Sequence, residues 1–214
     1  MMTARPLCRT FTPTTGFVAA LAMALLAGCS LTRPAPIKQA YLIDPAAPPV
    51  AATTQPATLR VGTINVAVPF RGRALIYRQT DLRYEADFYS EFLVAPAAML
   101  GEVTARALDR ARVFARVVPP GAPPDGEFVL DGFVDALYFD VRDAGRATAE
   151  IGVTFFLVRA DAPTLVPFWS KQYRRSAPVA ASSPDAQAAA LSAAFGEITA
   201  ELARDLAALQ LPKS

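Results

Sequence analysis

Histidine is absent from the 214 residues of this chain, and cysteine occurs only twice. Without histidine the chain cannot build a Ser/His/Asp triad, a Cys/His dyad or a histidine-ligated zinc site, and it lacks the commonest general acid and base. It also has neither a GxGxxG motif nor a Walker-type phosphate loop. Only carboxylate or Ser/Lys chemistry stays formally open, so we predict no enzymatic activity, no cofactor and no metal site.

A strong excess of one charge is also missing. The chain has 21 lysines and arginines against 19 aspartates and glutamates, a formal net charge of +2. Arg5 and Arg9 belong to an N-terminal segment that we predict to be removed, which leaves the remaining chain close to neutral. No long-range positive field therefore favours nucleic acid as a partner.

The longest apolar run, residues 16–28, is short. As a helix it would reach about 20 Å, less than the roughly 30 Å of a bilayer's hydrocarbon core. Arg5 and Arg9 precede it, and no acidic residue occurs before Cys29. A basic start followed by a short apolar run predicts a signal peptide and not a transmembrane helix.

This run ends in Leu-Ala-Gly-Cys, residues 26–29, which resembles the lipobox of bacterial lipoproteins. The resemblance implies cleavage between Gly28 and Cys29 and acylation of Cys29, and several acyl chains give stable anchoring. Ser30 follows the cysteine in place of the aspartate that favours inner-membrane retention. Lipid anchoring in the outer membrane, facing the periplasm, is therefore the implied location. A secretory signal with a fortuitous cysteine is the alternative.

The mature chain would hold no second cysteine and hence no internal disulfide, so core packing alone must stabilise it. Residues 29–58 are rich in Pro, Ala and Thr and are predicted to be a tether with one short strand at 39–43. Residues 59–214 are predicted to be one domain. Their length suits a single hydrophobic core.

Periodicity predicts an α/β (α+β) domain with a largely antiparallel, mixed sheet and two main helices packed on it. Alternating residues predict strands at 59–68, a hairpin turning near 79–81, a strand VFARVV, and a meander of three long strands ending at 168–176. The first helix is predicted from Pro96 to Ala111, and the second opens at Ser183 as N-cap. The second helix carries an apolar stripe at helical spacing: Leu191, Phe195, Ile198, Leu202, Leu206 and Leu209.

Two carboxylate pairs are close enough in sequence to be considered as sites. Asp131 and Asp135 lie four apart in a predicted strand, so about 13 Å separates them, too far for one cation to bridge. Glu85 and Asp87 lie two apart, about 6 to 7 Å if extended, and could flank a ligand. A solvated strand face is the preferred interpretation of this second pair.

The chain resembles the ABC-type transport auxiliary lipoproteins, the PqiC-like family, in the order of its parts. These parts are the lipobox, the AYLID strand, the strand ending VAVPF, the segment ALIYRQTDLRYEADFYSEFLVAPAAML, two helices and a strand meander. The resemblance covers residues 41–209, and Pro96 marks the helix start that follows its aromatic segment. It implies a compact α/β fold similar to the N-terminal domain of TolB. It also implies an outer-membrane lipoprotein that docks the bridge of an MCE-domain (mammalian cell entry) protein. That bridge works with an inner-membrane ABC transporter or permease in lipid transport, and a homo-oligomeric ring is one form the docking could take.

The arginines and aromatic residues of this segment are the candidate partner-binding residues. They are Arg71, Arg73, Tyr77, Arg78, Arg83, Tyr84, Phe88, Tyr89 and Phe92. Three interpretations stay open for the arginines: a partner-docking face, contact with anionic headgroups, or a charged strand edge that keeps the sheet soluble. For the cluster at 88–92, and for Trp169, core packing is preferred over an interface anchor.

Two different functions are consistent with the predicted anchor and fold. The first is a non-catalytic adaptor in lipid transport, as the resemblance implies. The second is a structural or assembly lipoprotein of outer-membrane or secretion machinery, which could use the same anchor and fold.

Overall fold

The computed structural model describes residues 37–122, 126–143, 145–162 and 166–212. Lys38–Ser214 form one compact unit. The predicted signal peptide, Cys29 and the start of the predicted tether lie outside the described residues. Within the described ranges, neither helix is long and apolar enough to span a membrane.

Over these described ranges the domain contains eight strands and two helices. The strands are β1 (Gln39–Tyr41), β2 (Gln55–Val66), β3 (Ala74–Arg78), β4 (Tyr84–Phe92), β5 (Phe114–Val118), β6 (Phe128–Asp140), β7 (Thr148–Arg159) and β8 (Trp169–Pro178). The helices are α1 (Pro96–Arg110), between β4 and β5, and α2 (Pro184–Ala208), after β8. A short 3-10 turn, Val68–Phe70, joins β2 to β3.

Strand β6 lies at the centre of a mixed sheet. One of its edges pairs antiparallel with β7 from Phe128 opposite Arg159 to Asp140 opposite Thr148, and β7 pairs antiparallel with β8. The other edge of β6 is shared, since it pairs parallel first with β2 and then, over its last two residues, with β3. Beyond β2 lies β5, and beyond β3 lie β4 and β1. The predicted meander and the mixed sheet are confirmed.

Both helices pack on the sheet, α1 over β2 and β5 and α2 over β7 and β8. The apolar stripe of α2 is buried, with at most 1% exposure at Leu191, Phe195, Ile198, Leu202 and Leu206. The hydroxyl of Ser183 accepts a hydrogen bond from the Ala186 N–H at 3.3 Å, so the predicted N-cap is confirmed. Trp169 is half-buried against the core, as predicted.

The segment between β1 and β2 lies against the two helices. Ile43 is 1% exposed, the N–H of Asp44 donates to Oγ of Ser192 at 3.1 Å, and the Thr53 hydroxyl donates to the Ala207 carbonyl at 3.0 Å. Strand β2 begins at Gln55, four residues earlier than the predicted start at residue 59.

Candidate partner-binding site

The candidate residues lie on the β3–β4 hairpin and on the chain just before it. Tyr77 pairs with Glu85 and Arg78 pairs with Tyr84 in this antiparallel pair. Neighbouring residues of a strand point to opposite faces, so Tyr77 and Arg78 cannot belong to one surface. The structure therefore divides the predicted site between two faces.

The first face carries Arg78 and Tyr84 on the side away from α2. The Tyr84 ring packs edge-on against Tyr138, with 5.5 Å between centroids, and the Arg78 guanidinium lies 5.8 Å from the Tyr84 ring centre. Arg78 also lies 3.8 Å from Asp140 and 3.3 Å from Asp81. Because these carboxylates neutralise it, Arg78 supports the hairpin and is not a free cation for a partner.

The second face carries Tyr77 and points toward the start of α2. The Tyr77 ring lies 5.7 Å from that of Phe139, and its hydroxyl donates to Oδ2 of Asp87 at 2.9 Å. The same hydroxyl lies 2.9 Å from the carboxamide of Gln187, a side chain that is only 9% exposed. Burial and, after it, the hydrogen bond and charge of Asp87 raise the pKa of Tyr77, so the hydroxyl keeps its proton.

Strand β4 bulges at Asp87. Ile76 is opposite Ala86 but Ala74 is opposite Glu91, so β4 has extra residues between these pairs. The Asp87 Oδ1 accepts from the N–H groups of Tyr89 and Ser90 at 2.7 and 2.8 Å. Burial acts to raise the pKa of Asp87, but these backbone donors and the Tyr77 hydroxyl outweigh it, so the pKa is lowered from its usual value.

The bulge turns two aromatic side chains outward. Phe88 is 72% exposed and Tyr89 is 45% exposed, and their rings meet edge to face with 5.0 Å between centroids. The preference for core packing was therefore wrong for Phe88 and Tyr89, since the bulge breaks the strand alternation on which burial depends. It is confirmed for Phe92, which is 3% exposed.

Strand β1 lies alongside the bulge, and the residue just before this strand supplies a cation. It pairs parallel with the end of β4, and the Lys38 ammonium lies 5.3 Å from the Phe88 ring centre and 3.8 Å from Glu91. Glu91 also forms a close ion pair with Arg73. Lys38 was not among the predicted residues, because the sequence gives no sign that β1 adds to β4.

The last two predicted arginines are separate from this cluster. Arg71 donates from Nε to the Val66 carbonyl at 3.4 Å. Arg83 lies exposed at the hairpin turn, where its carbonyl accepts from the Gln79 N–H at 2.9 Å. The nine predicted residues thus form no single arginine-rich surface.

The carboxylates of β6 have structural partners. Asp131 Oδ1 accepts from the Thr63 N–H at 2.7 Å, and Asp135 Oδ2 accepts from Gln172 and Arg174 at 3.0 and 2.9 Å. Across the described part of the chain, no three acidic or cysteine side chains come together in a way that could hold a metal ion.

Comparisons with known proteins give a family and a fold. Residues 41–203 match the family model described as ABC-type transport auxiliary lipoprotein component. The solved structure of XCC0632 from Xanthomonas campestris, of the DUF330 family, is similar with a TM-score of 0.69 at 19% identity, over 77% of this chain and 92% of that one. A second structure, titled only as an uncharacterized protein, has a TM-score of 0.58 at 13% identity, over 74% and 99%. No curated protein matches the chain.

Proposed function

The chain belongs to the family of ABC-type transport auxiliary lipoprotein components, and on that basis we propose that it is the outer-membrane lipoprotein of an envelope-spanning lipid transport system. In this role it faces the periplasm, held by acyl chains on Cys29. It docks the bridge formed by an MCE-domain protein that works with an inner-membrane ABC transporter or permease. It binds and positions this partner and has no catalytic duty.

The outward pair of aromatic rings at the β4 bulge is the observation that carries the docking proposal. Exposed aromatic side chains at 72% and 45% exposure leave apolar area in water that a partner would cover. Aromatic residues dominate the energetic centres of protein interfaces. The hydrogen bonds of Asp87 hold the backbone of Phe88 and Tyr89 in place, so less conformational entropy is lost when a partner binds.

The attachment proposed at Cys29 would keep this surface near the membrane. Residues 30–38 span at most about 30 Å when fully extended. Strand β1 and the β4 bulge beside it would therefore lie within that distance of an acylated Cys29. A bridge that ends at the outer membrane would meet the aromatic pair there.

The experiment is capture of the MCE-domain protein by the full-length lipoprotein purified in detergent. Replacing both Phe88 and Tyr89 by alanine is expected to weaken capture at least tenfold, since single interface anchors typically contribute more than about 1.4 kcal/mol. Leu82→Ala is the matched control, because Leu82 is 94% exposed at the turn of the same hairpin. Unchanged capture by the double variant would refute the docking surface, and no capture by the wild type would refute the adaptor role.

A homo-oligomeric ring is also part of the proposal as the form in which docking occurs. Among the described strands, β1, β5 and β8 each pair with a single neighbour, so each has one edge available for another strand. Light scattering on the purified chain would show a single high-order species, and a monomer at all concentrations would exclude the ring.

A further inference from the structure

One end of the sheet carries arginines that have no carboxylate partner. Arg110 is the last residue of α1, Arg112 lies between α1 and β5, Arg116 lies in β5, and Arg60 lies in the neighbouring strand β2. We call these four residues the arginine edge. None of them was among the predicted partner-binding residues, because this helix end and these two strands meet only in the fold.

The arginine edge follows the outer side of β5. Among the described strands β5 pairs only with β2, so no strand lies beside its other side. Thr58 is opposite Arg116 and Arg60 is opposite Val118, which places Arg60 and Arg116 diagonally across the ladder, roughly 7 to 8 Å apart. Arg112 precedes Arg116 by four residues, about 13 Å of extended chain. Three of the four side chains are exposed, and that of Arg60 is half-buried.

The charge of the arginine edge is not neutralised by the domain. Eight arginines elsewhere in the described ranges form ion pairs with carboxylates. Over the same ranges, no side chain of the arginine edge forms an ion pair or a hydrogen bond. Asp109 and Glu127 lie beside these elements without pairing to them, and Glu127 accepts from the Thr58 N–H at 3.3 Å. This end of the sheet therefore presents an excess of positive charge to solvent.

Arg112 has a backbone conformation that arginine rarely adopts. Its φ is 53°, and within the described ranges no other residue except glycine has a positive φ. Glycine is the usual residue just after a helix in this conformation, because a Cβ is crowded there. Hydrogen bonds fix the backbone, since the Arg112 N–H donates to the Asp109 carbonyl and the Arg112 carbonyl accepts from the Thr54 hydroxyl, both at 2.9 Å. Packing does not explain an exposed arginine at a strained position, so the strain indicates a role for its charge.

We propose that the arginine edge binds the phosphate groups of anionic phospholipids in the membrane that holds the chain. The inference rests on the proposed function for the anchor at Cys29 and adds the way in which the domain is oriented on that membrane. A guanidinium group matches a phosphate in charge and can donate two parallel N–H bonds to it. An anionic bilayer also attracts clustered basic side chains through its surface potential.

The length of the attachment is compatible with this orientation. The path from β5 to β1 crosses six strands, about 24 Å in all, and residues 30–38 span at most about 30 Å. The β5 end can therefore rest on the bilayer while β1 stands away from it. Phe88 and Tyr89 lie in β4, next to β1 at the opposite end of this path. They would then face away from the membrane, toward an arriving bridge.

The test reconstitutes the full-length lipoprotein, held by its acyl chains, in vesicles of phosphatidylcholine alone or with an equal part of phosphatidylglycerol. A dye is attached through Ala115→Cys, at an exposed position of β5, and a lipid with a spin-labelled headgroup quenches the dye on contact. Leu82→Cys is the matched reporter, because Leu82 is 94% exposed at the hairpin turn. We expect strong quenching at position 115 only with phosphatidylglycerol, and little at position 82 with either lipid.

Substitutions of the arginines then test the charge itself. Arg112→Gln combined with Arg116→Gln should lower the ratio of docked to free domain at least about tenfold, since each arginine near an anionic surface contributes about fivefold. Arg83→Gln is the control and should change nothing, because Arg83 is exposed and has no ion pair in the described ranges. Urea midpoints of these variants close to that of the wild type are expected and show that each variant is folded.

Several outcomes would overturn the proposal. They are equal quenching at position 115 in the two kinds of vesicle, equal quenching at positions 115 and 82, and no change in the folded double variant. Absence of quenching, together with loss of MCE-domain capture by the double variant, would assign the arginine edge to the protein partner instead. Flotation with neutral vesicles reports the anchor by itself, and no MCE-domain protein enters the quenching measurement. Failure of the arginine edge is therefore distinguishable from failure of the anchor or of the docking role.

Discussion

Replacing Asp87 tests whether the bulge of β4 is held by this one carboxylate. Asp87 accepts hydrogen bonds from the N–H groups of Tyr89 and Ser90 and from the Tyr77 hydroxyl, at 2.7, 2.8 and 2.9 Å. In Asp87→Ala the two N–H groups lose their acceptor, whereas the Tyr77 hydroxyl can still donate to Oε1 of Gln187 at 2.9 Å. In Asp87→Asn a carboxamide oxygen still serves the two backbone groups, but the charge is lost.

The magnitude follows from the burial of the donors. A hydrogen bond to a charged group contributes about 1.5 to 3 kcal/mol when its donor cannot turn to water. Ser90 is 4% exposed and stays unsatisfied, whereas the 45% exposed Tyr89 admits water to its N–H. We therefore expect Asp87→Ala to lower the free energy of unfolding by about 2 to 3 kcal/mol, and Asp87→Asn by about 1 kcal/mol.

Urea denaturation followed by circular dichroism measures both changes, with Glu85→Gln on the same strand as a control expected within about 0.5 kcal/mol of wild type. A folded-state pKa of Asp87 below its ordinary 3.8 means that the charge stabilises the fold above that ordinary value. This contribution is lost as the pH falls through the lowered pKa. The difference between wild type and Asp87→Asn should accordingly be constant near neutral pH and shrink below about pH 4. Equal stability of Asp87→Ala and wild type would refute the reasoning.

Three further predictions concern the sheet, its helix and the anchor. Gly62→Ala should lower the free energy of unfolding by about 1 to 3 kcal/mol, because the added Cβ would lie 2.2 Å from a carboxylate oxygen of β6 and overpack the sheet. Gly72→Ala is the control, because a Cβ at Gly72 meets open space and should leave the urea midpoint unchanged. Tyr173→Phe should lower the free energy of unfolding by about 1 kcal/mol, because the Tyr173 hydroxyl donates to Asp205 of α2 at 2.6 Å; an unchanged midpoint would contradict this. Cys29→Ala should move the protein from the outer-membrane fraction to the soluble periplasm, and a variant that still fractionates with the membrane would overturn the anchor.

The regular elements of this fold could be predicted because their patterns are local. The apolar stripe of α2 follows a Ser-Pro-Asp start in a helix of 25 residues. Apolar and polar residues alternate along much of β6 and β7, which are 13 and 12 residues long. What could not be predicted is how β6 shares one edge between β2 and β3. That arrangement depends on the turn at Val68–Phe70 and on packing between distant segments.

The geometry around the candidate residues could be predicted from the sequence only in part. Adjacent positions already indicated that Tyr77 and Arg78 face opposite ways, so the division into two faces could have been found from alternation alone. The bulge could not be predicted, because it depends on hydrogen bonds that Asp87 accepts from the N–H of Tyr89 in its own strand and from the Tyr77 hydroxyl in the neighbouring strand. Tyr77 in turn contacts Gln187, which lies 110 positions further along the chain. Glu85 and Asp87 were considered as a carboxylate pair from their spacing, but only the structure shows that Gln187 lies beside them.

The short strand β1 has a mechanical consequence for a domain held by its N-terminal side. Tension along the chain would reach β1 first, and only three residues pair it with β4, its single neighbour among the described strands. Just after it, Ile43 is locked in the core and Asp44 is bound to Arg106 at 2.7 Å. Release of residues 38–42 would add about 15 Å to the segment that connects the domain to its proposed attachment at Cys29, while the rest of the domain keeps its shape. In the proposed role, this added length would let the domain follow relative movement between the membrane and its docking partner.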